Sequence, residues 1–383
     1  MNFTDFWAWV VFLKTLSLKD LKEPIEHYLI DPYPFNKYNE NLQFIESFTQ
    51  NHFFSGDVVI PFRRIKNMYR KEIKVLDCTI RDGGLMNNHL FSDDLVRRVF
   101  QAVNKSGVDY IELGYKADEN QFKRGEFGPM KFCSEQDLEN IVGDTEKNCK
   151  ISVMADIGRF DPEVLIPKSE SLVDMMRVAS YIKDIDKAID LVNTLHAKGY
   201  ETTINIMAVS HARERELDEA LAQIEKESAV DVVYLVDSFG ALYSEQIAHL
   251  AQKYRAALPT RELGIHAHNN QQLAFANTIE SVIQNINYLD GTIWGIGRAA
   301  GNCPLELLLG FLKNPKFDIR PILEVLQSDF VELRESVEWG YTIPYVITGI
   351  LDLHPRAAMK LRGSDQKDDY LDFYNKLTTE ANV

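Results

Sequence analysis

From Ile73 onward, short runs of apolar residues alternate with longer stretches in which apolar positions recur every three or four residues. The runs are Ile73 to Thr79, Tyr110 to Gly114, Ile151 to Asp156, Val173 to Ala179, Thr202 to Val209, Val230 to Val236, Leu263 to His268 and Leu289 to Gly295. Runs of about four to eight such residues read as strands covered on both faces. The stretches between them predict helices. One starts at the N-cap Ser92 and runs to Lys105, one from Ile185 to Lys198 stops at Gly199, and others cover Ser244 to Ala257, Gln271 to Asn285 and Leu305 to Leu312. Eight strands joined by crossover helices predict a parallel sheet, and eight strands close a TIM (β/α)8 barrel. The alternative is an open, doubly wound sheet, which wants a spaced glycine-rich turn after its first strand. This chain reads Ile-Arg-Asp-Gly-Gly there.

The same pattern divides the chain into an N-terminal extension over residues 1–72, a barrel over 73–315 and a C-terminal helical segment over 316–383. Aromatics and prolines in the extension predict an ordered piece packed on the barrel. In the last segment Phe330, Leu333, Val337 and Trp339 have the spacing of one packed helix, and the charged tail from Gly363 is expected to fray.

Composition narrows the function. Of 383 residues 45% are apolar, which permits a large core and excludes collagen-like or disordered chains. Lys and Arg total 42 against 57 Asp and Glu, a net charge of −15 that disfavours nucleic-acid partners. The four cysteines contain no CxxC pair, so neither a disulfide framework nor a thiolate zinc site is expected, and a cytoplasmic location follows. The apolar run Phe6 to Leu13 is too short to span a bilayer and follows Asp5 rather than a basic residue, so a buried helix and no membrane are expected. Assembly into a homo-oligomer is left open.

Barrels of this kind carry function at the C-terminal ends of their strands. Arg81 and Asp82 follow the first strand, beside two glycines that let the backbone turn sharply. They are either a solvated pair or part of a site. His266 and His268 end the seventh strand, and positions two apart share a side. With a carboxylate from elsewhere they would hold a metal, or else they are hydrogen-bonded strand-end residues. The loop Gly295 to Asn302 either cradles a phosphate or presents the Asn302 carbonyl oxygen to the same metal. Arg177, inside an apolar strand, needs a partner or a wet cavity, and Glu112 is the expected partner. Asp156, Asn205, Asp237 and Thr292 are further strand-end polars. Arg177, Asp237 and Thr292 are the candidate substrate contacts. Cys78 and Cys303 read as small core residues.

Three motifs occur in fixed order: Asp77-x-Thr79-x-Arg81-Asp82-Gly83, His266-x-His268 and Gly297-Arg-Ala-Ala-Gly-Asn302. Over about residues 73–315 they resemble the DRE-TIM metallolyases, the family of 3-hydroxy-3-methylglutaryl-CoA lyase, 2-isopropylmalate synthase and 4-hydroxy-2-oxovalerate aldolase. Asp77 to Gly84 and Val236-Asp-Ser-Phe-Gly240 are most similar to the aldolase branch. The resemblance implies a divalent metal, Mn2+ or Mg2+, on Asp82, His266 and His268, with Asn302 as a fourth ligand. It implies that Arg81 stabilises an enolate oxygen, and that the substrates are a pyruvate-type 2-oxo acid and an aldehyde. The aldolases carry a catalytic histidine three residues after the metal aspartate, and this chain has Leu85 there. His89, Glu112, Tyr115 and Lys116 are the candidates for acid–base work. Cys303 follows the Gly-Asn motif and does not take the place of the CoA lyases' loop cysteine. The expected activity is a metal-dependent aldolase or carbon–carbon lyase. The alternatives are an acyl-CoA-dependent Claisen enzyme and a non-catalytic barrel that binds a small acid.

Overall fold

In a computed structural model of the chain, residues 70–380 are described. The expected extension over 1–72 lies outside them except for its last three residues. Eight strands form a closed parallel barrel in sequence order: β1 (Lys74–Asp77), β2 (Tyr110–Tyr115), β3 (Lys150–Asp156), β4 (Met175–Ser180), β5 (Glu201–Ile206), β6 (Val232–Asp237), β7 (Glu262–Ala267) and β8 (Tyr288–Gly291). β1 closes the ring against β8, with Leu76 opposite Asp290. The barrel expectation is met and the open sheet is excluded.

The period of two along each strand separates two apolar layers. Val75, Ile111, Leu113, Met176 and Val178 belong to the large cluster shared with the surrounding helices. Leu76, Cys78, Tyr110 and Met175 form a separate cluster from the alternate positions, inside the ring. The outer helices follow their sequence signals. Ser92 Oγ accepts from the Leu95 N–H at the start of α1 (Asp93–Lys105). Gly199, at φ 91°, takes the left-handed turn after α2 (Ile185–Ala197). Gly264 makes room for a core aromatic, since a Cβ there would lie 2.6 Å from the Tyr234 ring.

Three expectations are corrected. Gly83 and Gly84 have helical φ values of −59° and −62°, so Arg81 and Asp82 sit in the short helix α3 (Thr79–Gly83) rather than in a sharp loop. Smallness is what Gly84 supplies: a Cβ there would meet the His89 ring at 2.0 Å. The tail does not fray as expected. α4 (Ile343–Ile350), α5 (Arg356–Arg362) and α6 (Tyr370–Glu380) close over a second apolar cluster. Phe373 and Leu377 of the tail pack there with Tyr345, Ala358 and the barrel-loop residues Ala299 and Ala300. The helix expected through Trp339 stops at Ser336, where the chain turns extended at Val337, and the Trp339 indole N–H donates to the Trp294 carbonyl at 2.9 Å.

Inside the ring Asp77 is fully buried, and its carboxylate accepts from the Thr79 hydroxyl at 2.6 Å. Burial raises its pKa to about 7 despite that bond. In the folded chain it therefore keeps a proton through a range where the unfolded chain has lost it. Stability contributed by this proton falls as pH rises from about 4 to 7. Relative to wild type, Asp77→Asn is expected to gain about 4 kcal/mol across that window, at about 1.4 kcal/mol per unit, of which about 3 kcal/mol falls between pH 5 and pH 8. Urea unfolding of both proteins at pH 5 and pH 8 checks it. A difference that does not move with pH contradicts it.

Candidate metal centre

Asp82, His266 and His268 converge at the C-terminal end of the barrel. Asp82 Oδ2 lies 3.1 Å from His266 Nε2 and 3.9 Å from His268 Nε2. The three donor atoms fall within 4.8 Å of one another, and all three residues are buried. The two imidazoles stand 5.2 Å apart and nearly perpendicular. This close approach follows from topology: Asp82 comes just after β1, the histidines from the end of β7, and the closed ring brings both to the mouth.

The charges suit a divalent cation. Burial alone would raise the Asp82 pKa, but the Arg81 guanidinium and the bond to His266 hold it well below the usual carboxylate range. Burial holds His268 well below its usual value, so it offers a neutral nitrogen. His266 Nδ1 lies 2.8 Å from Asp290 Oδ2. A carboxylate behind the ring places the proton on Nδ1 and turns the Nε2 lone pair toward the cluster. Burial opposes protonation of His266, yet the bonds to Asp290 and Asp82 raise its pKa, as expected where two carboxylates share one ring.

Asn302 completes the set. Its amide nitrogen donates to Asp82 Oδ2 at 3.0 Å and to the Ile296 carbonyl at 3.3 Å, while its carbonyl oxygen is buried without a partner. An orphaned buried acceptor beside a carboxylate and two imidazoles is the donor chemistry of a Mg2+ or Mn2+ site. Gly297 lets the amide approach, since a Cβ there would stand 2.1 Å from Nδ2.

Around this cluster runs a buried ion network. Arg81 donates from Nε to Glu112 at 2.7 Å and lies 3.3 Å from Asp82. The pairing of Arg177 with Glu112 expected from the sequence is present at 2.9 Å, and Arg177 also donates to Asp290 at 2.6 Å. The chain Glu112–Arg177–Asp290–His266 thus ties a second buried cation to the histidine. The Arg177 guanidinium also lies over the Tyr234 ring, 4.4 Å from its centroid.

The barrel mouth opens into a cavity of about 790 Å3, bordered by Arg81, Asp82, Tyr115, Asp156, Asn205, His266 and His268 among the residues singled out from the sequence. The others do not border it. Glu112 and Arg177 are fully buried in the ion network. Asp237 accepts from the Ala241 and Leu242 backbone N–H groups and holds the turn after β6. Thr292 is fully buried, and its N–H donates to the Cys303 carbonyl. His89 is 1% exposed, with its ring edge-on to Tyr115 at 5.5 Å, and burial lowers its pKa to about 3, so it stays neutral. Lys116 is engaged elsewhere, donating to the Cys133 carbonyl at 2.6 Å. Cys78 and Cys303 are buried, as expected of core residues.

The structure adds residues that the strand pattern did not single out. Lys131 is 5% exposed and borders the cavity, its ammonium 4.2 Å from the Tyr115 ring centroid and 4.4 Å from that of Phe122. Arg298 also borders it and donates to the Ser238 carbonyl at 2.7 Å. His354, Arg356 and Lys360 reach it from the C-terminal segment. Arg298 stood inside a motif already recognised. For Lys131 and the C-terminal residues no local signal existed, because each lies in a loop or helix with no strand register to aim it.

Comparison with known proteins agrees with this geometry. The HMGL-like family matches residues 72–333. The chain is 28% identical over 283 residues to 4-hydroxy-2-oxovalerate aldolase from Thermus thermophilus, covering 71% of this chain and 81% of that protein. It is 27% identical over 305 residues to oxaloacetate decarboxylase from Mycobacterium tuberculosis, covering 76% and 88%. The N-terminal domain of a putative aldolase from Bacteroides vulgatus superposes with a TM-score of 0.65 at 28% identity, over 76% of this chain and 97% of that one. Among the described residues no helix is long and apolar enough to cross a membrane. With a match spanning the whole barrel and three motifs joined at one mouth, the chain belongs to the HMGL-like family of barrel lyases.

Proposed function

We propose that this chain is a divalent-metal-dependent aldolase that makes or breaks the carbon–carbon bond beside the enolate of a pyruvate-type 2-oxo acid. The observation that carries the reading is Arg81 held rigidly beside the Asp82–His266–His268 cluster at the floor of an open cavity. Relatives named aldolase and decarboxylase support it. Asp82, His266 and His268 would hold the ion, with the Asn302 carbonyl oxygen as fourth donor, and Mn2+ or Mg2+ fits this mixed set. When bound, the ion supplies Lewis-acid polarisation of the 2-oxo acid.

The protein's own groups supply the rest. Arg81 is oriented through Nε by Glu112, which fixes its positive charge toward the cavity where an enolate oxygen develops charge. No reorganisation is needed at the moment of reaction. Burial raises the Tyr115 pKa, so its phenol keeps the proton and serves as a hydrogen-bond donor to the aldehyde oxygen. His89, packed on the Tyr115 ring, positions that phenol. Lys131 places a buried amine beside Tyr115, and burial lowers its pKa, which suits proton transfer where the aldolases' histidine is replaced by Leu85. All four cysteines are buried and free, which supports a reducing cytoplasm as its compartment.

Hydrogen–deuterium exchange at the pyruvate methyl group, followed by NMR with Mn2+ present, tests the reading. Exchange is expected to stop on chelation and to fall about 100-fold or more in Arg81→Ala. Metal binding without any exchange would remove pyruvate as the donor and turn the search to CoA thioesters.

A further inference from the structure

Pyruvate fills only a small part of a cavity of about 790 Å3, a size that holds drug-sized ligands. The chain carries a net charge of −15, yet seven cationic side chains and only three carboxylates border this cavity. Two of the cations are matched, Arg81 by Glu112 and Asp82, and Arg159 by Asp156 at 3.5 Å. Lys131, Lys183, Arg298, Arg356 and Lys360 have no carboxylate within ion-pair distance among the described residues. Two of these five are costly to leave so. Lys131 is 5% exposed and sits against aromatic rings, which offset only part of the loss of water around an ammonium. Arg298 keeps a buried Nε with no partner. Unpaired buried donors at a cavity wall point to an anion that is not part of the chain.

The lip of the cavity has the same character. Arg356 and Lys360 lie four apart on α5 and therefore share one helix face, exposed to solvent at the cavity border. The helix is held in place by Ala358, which packs with Ala299 and Ala300 of the very loop that carries Arg298. The C-terminal segment thus brings two cations to a third. A carboxylate is satisfied by one guanidinium. A phosphate monoester has three acceptor oxygens and a charge of about −1.5 to −2, and it calls for several cations.

We propose that Arg298, Arg356 and Lys360 bind the phosphate monoester of the second substrate, so that the acceptor is a phosphorylated aldehyde. This rests on the aldolase reading above. In the condensing direction the enolate carbon of the 2-oxo acid attacks the aldehyde carbon. The carbonyl electron pair moves to oxygen, which takes a proton, and the product is a phosphorylated 4-hydroxy-2-oxo acid. The phosphate is unchanged and no further reactant is required.

Calorimetric titration of the full chain with glycerol 3-phosphate and with glycerol tests the site without turnover. Glycerol 3-phosphate is expected to bind at least about tenfold more tightly than glycerol, and to lose about tenfold in affinity in Arg356→Glu/Lys360→Glu and in high salt. Both positions are exposed, and a thermal melt verifies that the double variant is folded. Equal binding of the two probes overturns the proposal, as does phosphate binding that survives the double substitution. Pyruvate exchange measured on the same preparation separates the two ideas. Exchange without phosphate binding removes the subsite alone. Phosphate binding without exchange removes the aldolase and leaves a phosphate site.

Discussion

Asp82→Asn is expected to weaken Mn2+ binding by more than about 100-fold and to lower lyase turnover by roughly 1000-fold, with the barrel still folded. Asp82 is the only carboxylate in the convergent group with His266 and His268, so it supplies the single negative charge there. Losing a group that merely supports a metal ligand costs about 10–100-fold in affinity. Losing the charged donor itself sets that range as a floor, and losing one preorganised charge-stabilising contact costs a further 100–1000-fold in rate. The fold survives because the amide keeps the shape of the carboxylate and one oxygen to accept the Arg298 backbone N–H. Arg81 retains Glu112. Titration with Mn2+ followed by calorimetry is the direct measurement. Unchanged affinity in a folded Asp82→Asn protein would remove the metal centre, and with it the proposed activity. Asp82→Glu keeps the charge but moves it by one methylene, and is expected to retain binding while losing most turnover.

Glu112→Gln is expected to be the most destabilising single change at the site, by about 3–5 kcal/mol. The Glu112 carboxylate is fully buried and accepts from both Arg81 and Arg177 through Oε2. An amide can still accept both bonds through one oxygen but cannot neutralise either guanidinium, and its NH2 group would stand where Oε1 is buried without a partner. The cost is that of leaving buried charge uncompensated rather than of losing a contact. Urea unfolding measures it. Pairing the change with removal of the second cation, as Glu112→Leu/Arg177→Met, is expected to recover only part of the stability, because charge balance returns but Asp290 loses its guanidinium and Arg81 its Glu112 partner. A Glu112→Gln loss below about 1 kcal/mol would show that water or another group already shields these charges.

The residues themselves announced a good deal of this. Apolar runs of strand length, separated by helical periods, specify eight strands joined by crossovers and therefore a barrel, since this information is local and repeats along the chain. Even the Arg177–Glu112 pair was legible, because a charge in the middle of an apolar run must find its opposite. The cap at Ser92 and the stop at Gly199 were legible for the same local reason.

Depth was not legible. The period of two says which residues point into the ring, but not whether they meet the cavity or lie beneath it. Glu112, Arg177 and Thr292 are all inward polar residues, and none borders the cavity. His89 was a candidate for acid–base work in the sequence. In the structure its ring fills the space that Gly84 leaves empty, and burial strips it of charge. Distance along the chain was a second barrier. Asn302 reaches Asp82 across 220 residues, and only closure of β1 on β8 makes them neighbours.

The sequence alone determined the number and order of the strands, the family motifs and the residue types of the metal centre, because these depend on local periodicity and on chemistry carried by individual side chains. The tertiary structure alone decided which polar residues face the cavity, that Lys131 lies caged beside Tyr115, and that the C-terminal helices bring Arg356 and Lys360 to its rim. Burial and electrostatic environment are set by whatever packs against a residue, and the packing partners come from parts of the chain that no local pattern connects.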